Sequence, residues 1–242
     1  KMNAYINLGW LLNWQVNNNW RLTAGVDVTH FSNGNTHYPN AGVNSVGGRV
    51  SLIRTFGTHA YRTSTEARRK ARAEIERYFS YDVVLYGAVR RKGIIWPDDR
   101  VLVPGAFGVA GININPMYNL NACFRAGISL DAQYDESANI KDHVVGDDRT
   151  AENIRFYRPP FREQFGVGLS LRAELVMPIF SINLGVGHNV FYRGEDLKGF
   201  YQIAALKTSI TRRLFLHVGY QLRNFKDPNN LMLGLGYRFN GR

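Results

Sequence analysis

The feature that most constrains this chain is alternation: apolar and polar residues trade places at period two over stretches of a dozen residues or more. From 119 to 134 one parity reads Leu120, Ala122, Phe124, Ala126, Ile128, Leu130, Ala132 and Tyr134. The other reads Asn119, Asn121, Cys123, Arg125, Gly127, Ser129, Asp131 and Gln133. Phe165, Val167, Leu169, Leu171, Ala173 and Leu175 alternate in the same way with Gln164, Gly166, Gly168, Ser170, Arg172 and Glu174, and the run from 231 to 240 repeats the pattern. Successive side chains of a strand point to opposite faces, so each run is a strand with one apolar and one Gly-rich polar side. Strands of soluble sheets seldom exceed about five or six residues. Longer runs, of roughly 9 to 11 residues with an unbroken apolar face, suit a strand that crosses a bilayer and turns its polar side to a closed lumen.

Other classes fall away. No stretch approaches the roughly 18 to 20 apolar residues of a membrane-spanning helix. The 14 Phe, 13 Tyr and 4 Trp supply more burial than a disordered chain carries. The single Cys123 excludes a disulfide framework and a cysteine-based zinc site. With 30 Lys and Arg against 19 Asp and Glu, the net charge of +11 points to an anionic partner, either nucleic acid or lipid phosphates. The basic residues are spread along strands and loops rather than gathered with stacking aromatics, which discounts nucleic acid.

The alternation predicts eleven strands, near 4–14, 20–31, 45–56, 80–91, 105–114, 118–134, 163–177, 179–192, 199–211, 214–224 and 230–239. The expected fold is all-β: a transmembrane antiparallel β-barrel of about 12 strands, with 1–242 forming one domain in a bacterial outer membrane. Short connections at 115–118, 176–180 and 212–214 mark the periplasmic end, and long ones at 31–44, 91–104 and 135–162 the outer end. Strand 4–14 then runs inward, so at least one N-terminal strand is expected to be missing from this sequence. Trp10, Trp14, Trp20, Tyr237 and Phe239 lie at strand ends, where interfacial girdles form. The connection 57–79 is long for a periplasmic turn, and 65–79 reads as a short basic helix: a periplasmic helical insert, or a surface for a partner.

One constellation carries chemistry. Trp20, Leu22, Ala24, Val26 and Val28 share the lipid-facing parity of their strand, and continuing that parity gives His30 and Ser32. On the following strand the same side carries Asn44, Val46, Gly48, Val50 and Leu52. His30, Ser32 and Asn44 therefore meet on the outer wall near the extracellular rim, where polar groups suit a substrate that is itself a membrane lipid. A serine hydroxyl becomes a nucleophile when a histidine takes its proton, and the histidine needs a third group to hold its tautomer. Two interfacial polar residues at the start of a loop are the bland alternative.

The full run His30-Phe31-Ser32-Asn33-Gly34, followed by Pro39-Asn40-Ala41-Gly42-Val43-Asn44, resembles the outer-membrane lipid A 3-O-deacylase family, also known as acyloxyacyl hydrolases, especially its longer Bacteroidota-type members. That family's pattern is His-aromatic-Ser-Asn and then Pro-Asn-x-Gly-aliphatic-Glu. The resemblance implies an esterase that removes an ester-linked acyl chain from lipid A without a cofactor. Ser32 would be the nucleophile, His30 the general base, and Asn33, Gly34 and Asn40 the oxyanion site. Asn44 stands where the family has its acidic member, so the carboxylate that supports the base is missing. The alternative is a catalytically inactive barrel of the same family, a structural or assembly subunit of an outer-membrane complex. Lipopolysaccharide is the implied partner, with Arg149, Arg155, Arg158, Arg162, Arg193 and Lys198 placed to meet its head groups. A passive pore would need an open lumen, which Arg21, Arg49, Arg125, Arg172, Asp131 and Glu174 could fill. His37 reads as a solvated loop residue, His188 as interfacial, and His217 and Cys123 as lumenal. Asp147, Asp148 and Glu136 have no regular metal-ligand spacing, so no metal site is expected.

Overall fold

The computed structural model describes residues 4–17, 19–32, 42–56, 77–96, 100–145, 154–225 and 227–240. It contains two compact units. The first holds β1 (Ala4–Gln15), β2 (Trp20–Ser32) and β3 (Val43–Arg54), antiparallel neighbours in that order. One face of this sheet carries Leu8, Trp10, Leu12, Val26, Val28, Val46, Val50 and Leu52, all exposed. The other carries Asn7, Asp27, Thr29 and Arg49, where the Asn7 amide donates to Asp27 at 3.0 Å and Thr29 at 2.7 Å and Arg49 pairs with Asp27 at 3.8 Å. The period-two pattern is thus realised as a sheet with one apolar and one polar side. Trp20 and Phe56 lie at the end away from the 33–42 connection, each beneath the Arg54 guanidinium.

The second unit begins with β4 (Tyr78–Arg90), a short hairpin of β5 (Gly93–Ile95) and β6 (Arg100–Leu102), then β7 (Phe107–Asn121) and β8 (Phe124–Asp135). A loop with the two-residue strands β9 (Val144–Val145) and β10 (Arg155–Phe156) leads to β11 (Phe165–Val176), β12 (Phe180–Phe191), β13 (Phe200–Ser209), β14 (Leu214–Arg223) and β15 (Asp227–Phe239). Eight of these close into a barrel in the order β11-β12-β13-β14-β15-β4-β7-β8. The outer-membrane barrel read from the alternation is present, but its ring has eight strands and not about twelve. β4 pairs with β15, from Leu233 opposite Gly87 to Phe239 opposite Tyr81, and this closes the ring without β1–β3. Alternation reports which way a residue faces and carries no information on which strand lies beside which. The expected insert at 57–79 falls almost wholly outside the described residues.

The facing itself follows the sequence. Leu120, Phe124, Ile128, Leu169, Leu171, Leu233 and Leu235 are exposed to the lipid side, while Arg125, Asp131, Arg172 and Glu174 are buried in the lumen. No helix among the described residues is long and apolar enough to cross a membrane. The turn expected at 115–118 is a correction: β7 runs straight through it, with Pro116 paired to Tyr81. The proline's missing N–H leaves only a gap on the β8 side, between Ile114 opposite Leu130 and Met117 opposite Gly127. Reversal comes at 122–123, so Cys123 lies in an exposed turn rather than in the lumen.

Eight strands leave an interior that side chains can fill. Asp82 and Glu174 are fully buried and are shared by Arg125 and Lys207, Asp82 at 3.1 and 3.0 Å and Glu174 by Arg125 and by Lys207 at 2.7 Å. Arg238 adds a contact to Asp82 at 2.8 Å. A second layer centres on Asp131, which pairs with Arg172 at 2.7 Å and accepts hydrogen bonds from Ser170 and Tyr201, each at 2.7 Å, and from Ser129. Glycines on the polar parity make room for this filling. A methyl at Gly187 would lie 2.4 Å from the Tyr201 ring, so only the bare backbone lets that phenol reach Asp131.

The short turns at 122–123, 177–179 and 210–213 share one end with the starts of β4 and the finish of β15. The long connections gather at the other, outer end. There Ile94, Val101, Val103, Phe107, Ile140 and Ile154 form a buried apolar cluster, with Trp96, Val144 and Phe156 packed against it. The outer loops are a folded cap.

Candidate active site

The β2–β3 register sets the site. His30 lies directly opposite Asn44, with Val28 opposite Val46 one row further along. Side chains directly across an antiparallel pair are close enough to touch, and Ser32, two residues beyond His30, falls on the same face. The contacts follow: Asn44 Oδ1 lies 2.7 Å from His30 Nδ1, and Ser32 Oγ lies 3.1 Å from His30 Nε2. With an amide oxygen facing the ring, Nδ1 carries the hydrogen and donates it to Asn44, which leaves Nε2 as the acceptor for the Ser32 hydroxyl. This is the tautomer a general base needs. Ser32 is 4% exposed and His30 half-buried, while the wall that continues from them, Val28, Val26, Val46 and Val50, is exposed and apolar.

The arrangement thus joins a serine, a correctly oriented imidazole and an orienting amide at one edge of an apolar face. It can perform acyl transfer on a substrate whose chains lie along that face. The three residues singled out from the sequence are brought together. Asn33, Gly34 and Asn40, expected to form the oxyanion site, and His37 lie outside the described residues. Among the described residues no cluster of His, Cys, Asp and Glu could hold a metal. His217 is buried in the lumen and His188 exposed on the wall against Phe200.

One residue of the site stands in the quoted motif with no role assigned to it by the sequence reading. Gly42, immediately before β3, has φ +58° and passes beside both His30 and Ser32. Its signal was its match to the glycine of the Pro-Asn-x-Gly pattern, two residues before Asn44 where the chain enters the strand.

Comparison with known proteins adds the following. Residues 79–241 match the family model described as "Acyloxyacyl hydrolase, C-terminal domain", and residues 5–52 match the one described as "Lipid A 3-O-deacylase (PagL)". The second match spans nearly all of β1–β3, with His30, Ser32 and Asn44, and the first nearly all of the closed barrel. No curated protein matches the chain. Among solved structures, the Yersinia pestis outer membrane protein Ail in a phospholipid bilayer nanodisc is similar at 16% identity, covering 66% of this chain and 99% of that one with a TM-score of 0.35.

Proposed function

Since the chain belongs to the family of outer-membrane lipid A deacylases and acyloxyacyl hydrolases, we propose that it hydrolyses an ester-linked acyl chain of lipid A by a Ser-His mechanism on the lipid-facing wall of β2 and β3. The observation that carries this reading is the continuous hydrogen-bond line from Asn44 through His30 to Ser32. Ser32 Oγ attacks the ester carbonyl as its proton passes to His30 Nε2. The tetrahedral intermediate collapses, the sugar oxygen leaves with that proton, and the acyl group stays on Ser32. Water then attacks the acyl-enzyme with His30 again as base, and the free fatty acid departs. Asn44 holds the ring throughout and never gains or loses a proton. No cofactor enters these steps.

The apolar wall below the site accounts for why such chemistry is placed on the outside of a sheet: the acyl chains of the substrate stay in hydrocarbon while the ester reaches the rim. Arg155, Arg158, Arg162, Arg193 and Lys198 are exposed on the outer loops of the second unit, where lipopolysaccharide phosphates lie; Arg158 already pairs with Glu136 at 2.7 Å, and Arg149 lies outside the described residues. A second reading, an inactive family member serving as a structural subunit, is favoured by Asn44 in the acidic position.

Mass spectrometry of lipid A from a Gram-negative host expressing the chain decides between them. Wild type should remove one acyl chain, and Ser32→Ala or His30→Ala should restore the full mass, as loss of either member of a Ser-His pair removes a factor of roughly 10⁶. Intact lipid A beside correctly inserted wild-type protein sinks the enzymatic reading and leaves the structural one.

A further inference from the structure

We infer that Gly42 is a positioning residue for acyl transfer, holding open the space in which the His30 ring stands between Asn44 and Ser32. The inference rests on the deacylase reading above and goes beyond it by assigning a role to a residue that has no functional group.

Two properties meet at this position. Gly42 has φ +58°, the left-handed region that residues with a Cβ enter at a cost and glycine enters freely. This bend delivers the chain into β3 so that Val43 falls opposite Phe31 and Asn44 opposite His30. The second property is clearance. A methyl on Gly42 would lie 3.3 Å from His30 Cε1, 3.6 Å from the Phe31 carbonyl oxygen and 3.8 Å from Ser32 Cβ. Cε1 is the carbon between the two ring nitrogens. Pressure on it therefore moves Nδ1 and Nε2 together, away from partners now at 2.7 and 3.1 Å. The same methyl also touches the link between base and nucleophile at Phe31 and the nucleophile's own Cβ. The effect of this position on the reaction runs through the ring.

The bend and the clearance are separable by substitution. Asparagine tolerates the left-handed conformation far better than alanine, yet it places a larger side chain against the ring. If clearance matters, Gly42→Ala lowers kcat by about 10-fold, since a Cβ at 3.3 Å asks the ring to give by a fraction of an ångström, and the larger side chain of Gly42→Asn lowers it by up to about 100-fold. KM for lipid A in mixed micelles stays at the wild-type value, because the apolar wall is untouched. Unchanged heat-modifiable mobility on gels shows that the variants still fold. Full kcat in Gly42→Ala overturns the proposal. Full kcat in Gly42→Asn alone overturns it too, since the bend would then be the whole role.

A readout independent of turnover accompanies these. In ¹⁵N spectra of the micellar wild type, His30 should show a protonated Nδ1 and an unprotonated, hydrogen-bonded Nε2. Gly42→Asn should shift both nitrogens. Spectra that do not change overturn the positioning role whatever the activity. Wild-type protein that leaves lipid A intact while the spectra shift as described overturns the deacylase reading and leaves the positioning of His30 standing.

Discussion

In the proposed mechanism Asn44 sets how much of the Ser-His chemistry is available. Its Oδ1 lies 2.7 Å from His30 Nδ1, close enough to fix the ring, but a neutral amide cannot offset the positive charge that His30 acquires when Ser32 attacks. Asn44→Asp is nearly isosteric and puts an ionised oxygen at the same place. It should raise the deacylation rate, by up to about 10⁴-fold if the amide costs what the same exchange costs a serine protease. A carboxylate also favours the imidazolium, so the acid limb of the pH–rate profile should move to higher pH. An equal or slower rate in folded Asn44→Asp, with the limb unmoved, would show that charge at 44 is not limiting. The juxtaposition of His30, Ser32 and Asn44 was legible in the sequence because each of the two strands shows its own apolar parity, and the three residues continue the apolar rows of consecutive strands. The role of Gly42 was not, since alternation says nothing about φ or about what passes beside a ring.

At the scale of elements, strand existence and facing were readable and strand pairing was not. Long period-two runs dictated the two-sided strands, while closure of β4 on β15 is a long-range choice with no local mark. The connection expected at 115–118 is continuous strand instead, and Pro116 is tolerated inside β7 because one strand neighbour supplies the pairing that the other loses. The cap was also hidden, since its contacts join loops distant in sequence. Its main tie is Asp196, whose Oδ2 accepts from Lys92 Nζ at 2.6 Å and from the Asn139 backbone at 3.0 Å. Asn139, at φ 59°, in turn donates to the Glu163 and Arg193 carbonyls at 2.7 and 2.9 Å. Burial by itself would raise the Asp196 carboxyl, but Lys92, the Asn139 N–H and Arg223 together hold it below its ordinary value of 3.8. A depressed folded value means that the charged form stabilises the cap: the contribution is complete above the ordinary value and is lost as pH falls below it through the folded one. Hydrogen exchange of the outer loops should therefore be slow and flat from neutral pH to about 4 after correction for intrinsic rates, then quicken. Asp196→Asn should show the quickened exchange already at pH 7. Identical protection in variant and wild type would remove Asp196 as the tie.

The lumen of the second unit is crossed by packed polar side chains, with a cavity lined by Tyr86, Asp131, Gln133 and Tyr201 beside them, and this bears on whether it conducts. An open pore needs a continuous water column, whereas here two polar layers cross the lumen, one around Asp82 and Glu174 and one around Asp131. Tyr86, Tyr201, Ile203, Ala205 and Met232 form a buried cluster beside them. Each acid in the first layer is shared by more than one base, so no single rotamer change opens a passage. The purified protein in planar bilayers should give no steady conductance above the bare membrane, and ohmic steps in wild type would refute the sealed lumen. The layers should also be mutually dependent. Lys207 Nζ bridges Asp82 at 3.0 Å and Glu174 at 2.7 Å, and removing one partner of a buried ionic set strands the charges it served. Lys207→Ala should destabilise the barrel by about 3 kcal/mol, the low end for a broken buried pair, since Arg125 still reaches both acids and Arg238 still reaches Asp82 at 2.8 Å. Lys207→Met keeps the stem and loses only the ammonium. If urea unfolding from lipid vesicles gives both variants the same loss, the charge carries the effect; if Lys207→Met matches wild type, packing of the stem accounts for it and the ionic layer is not what holds the ring together.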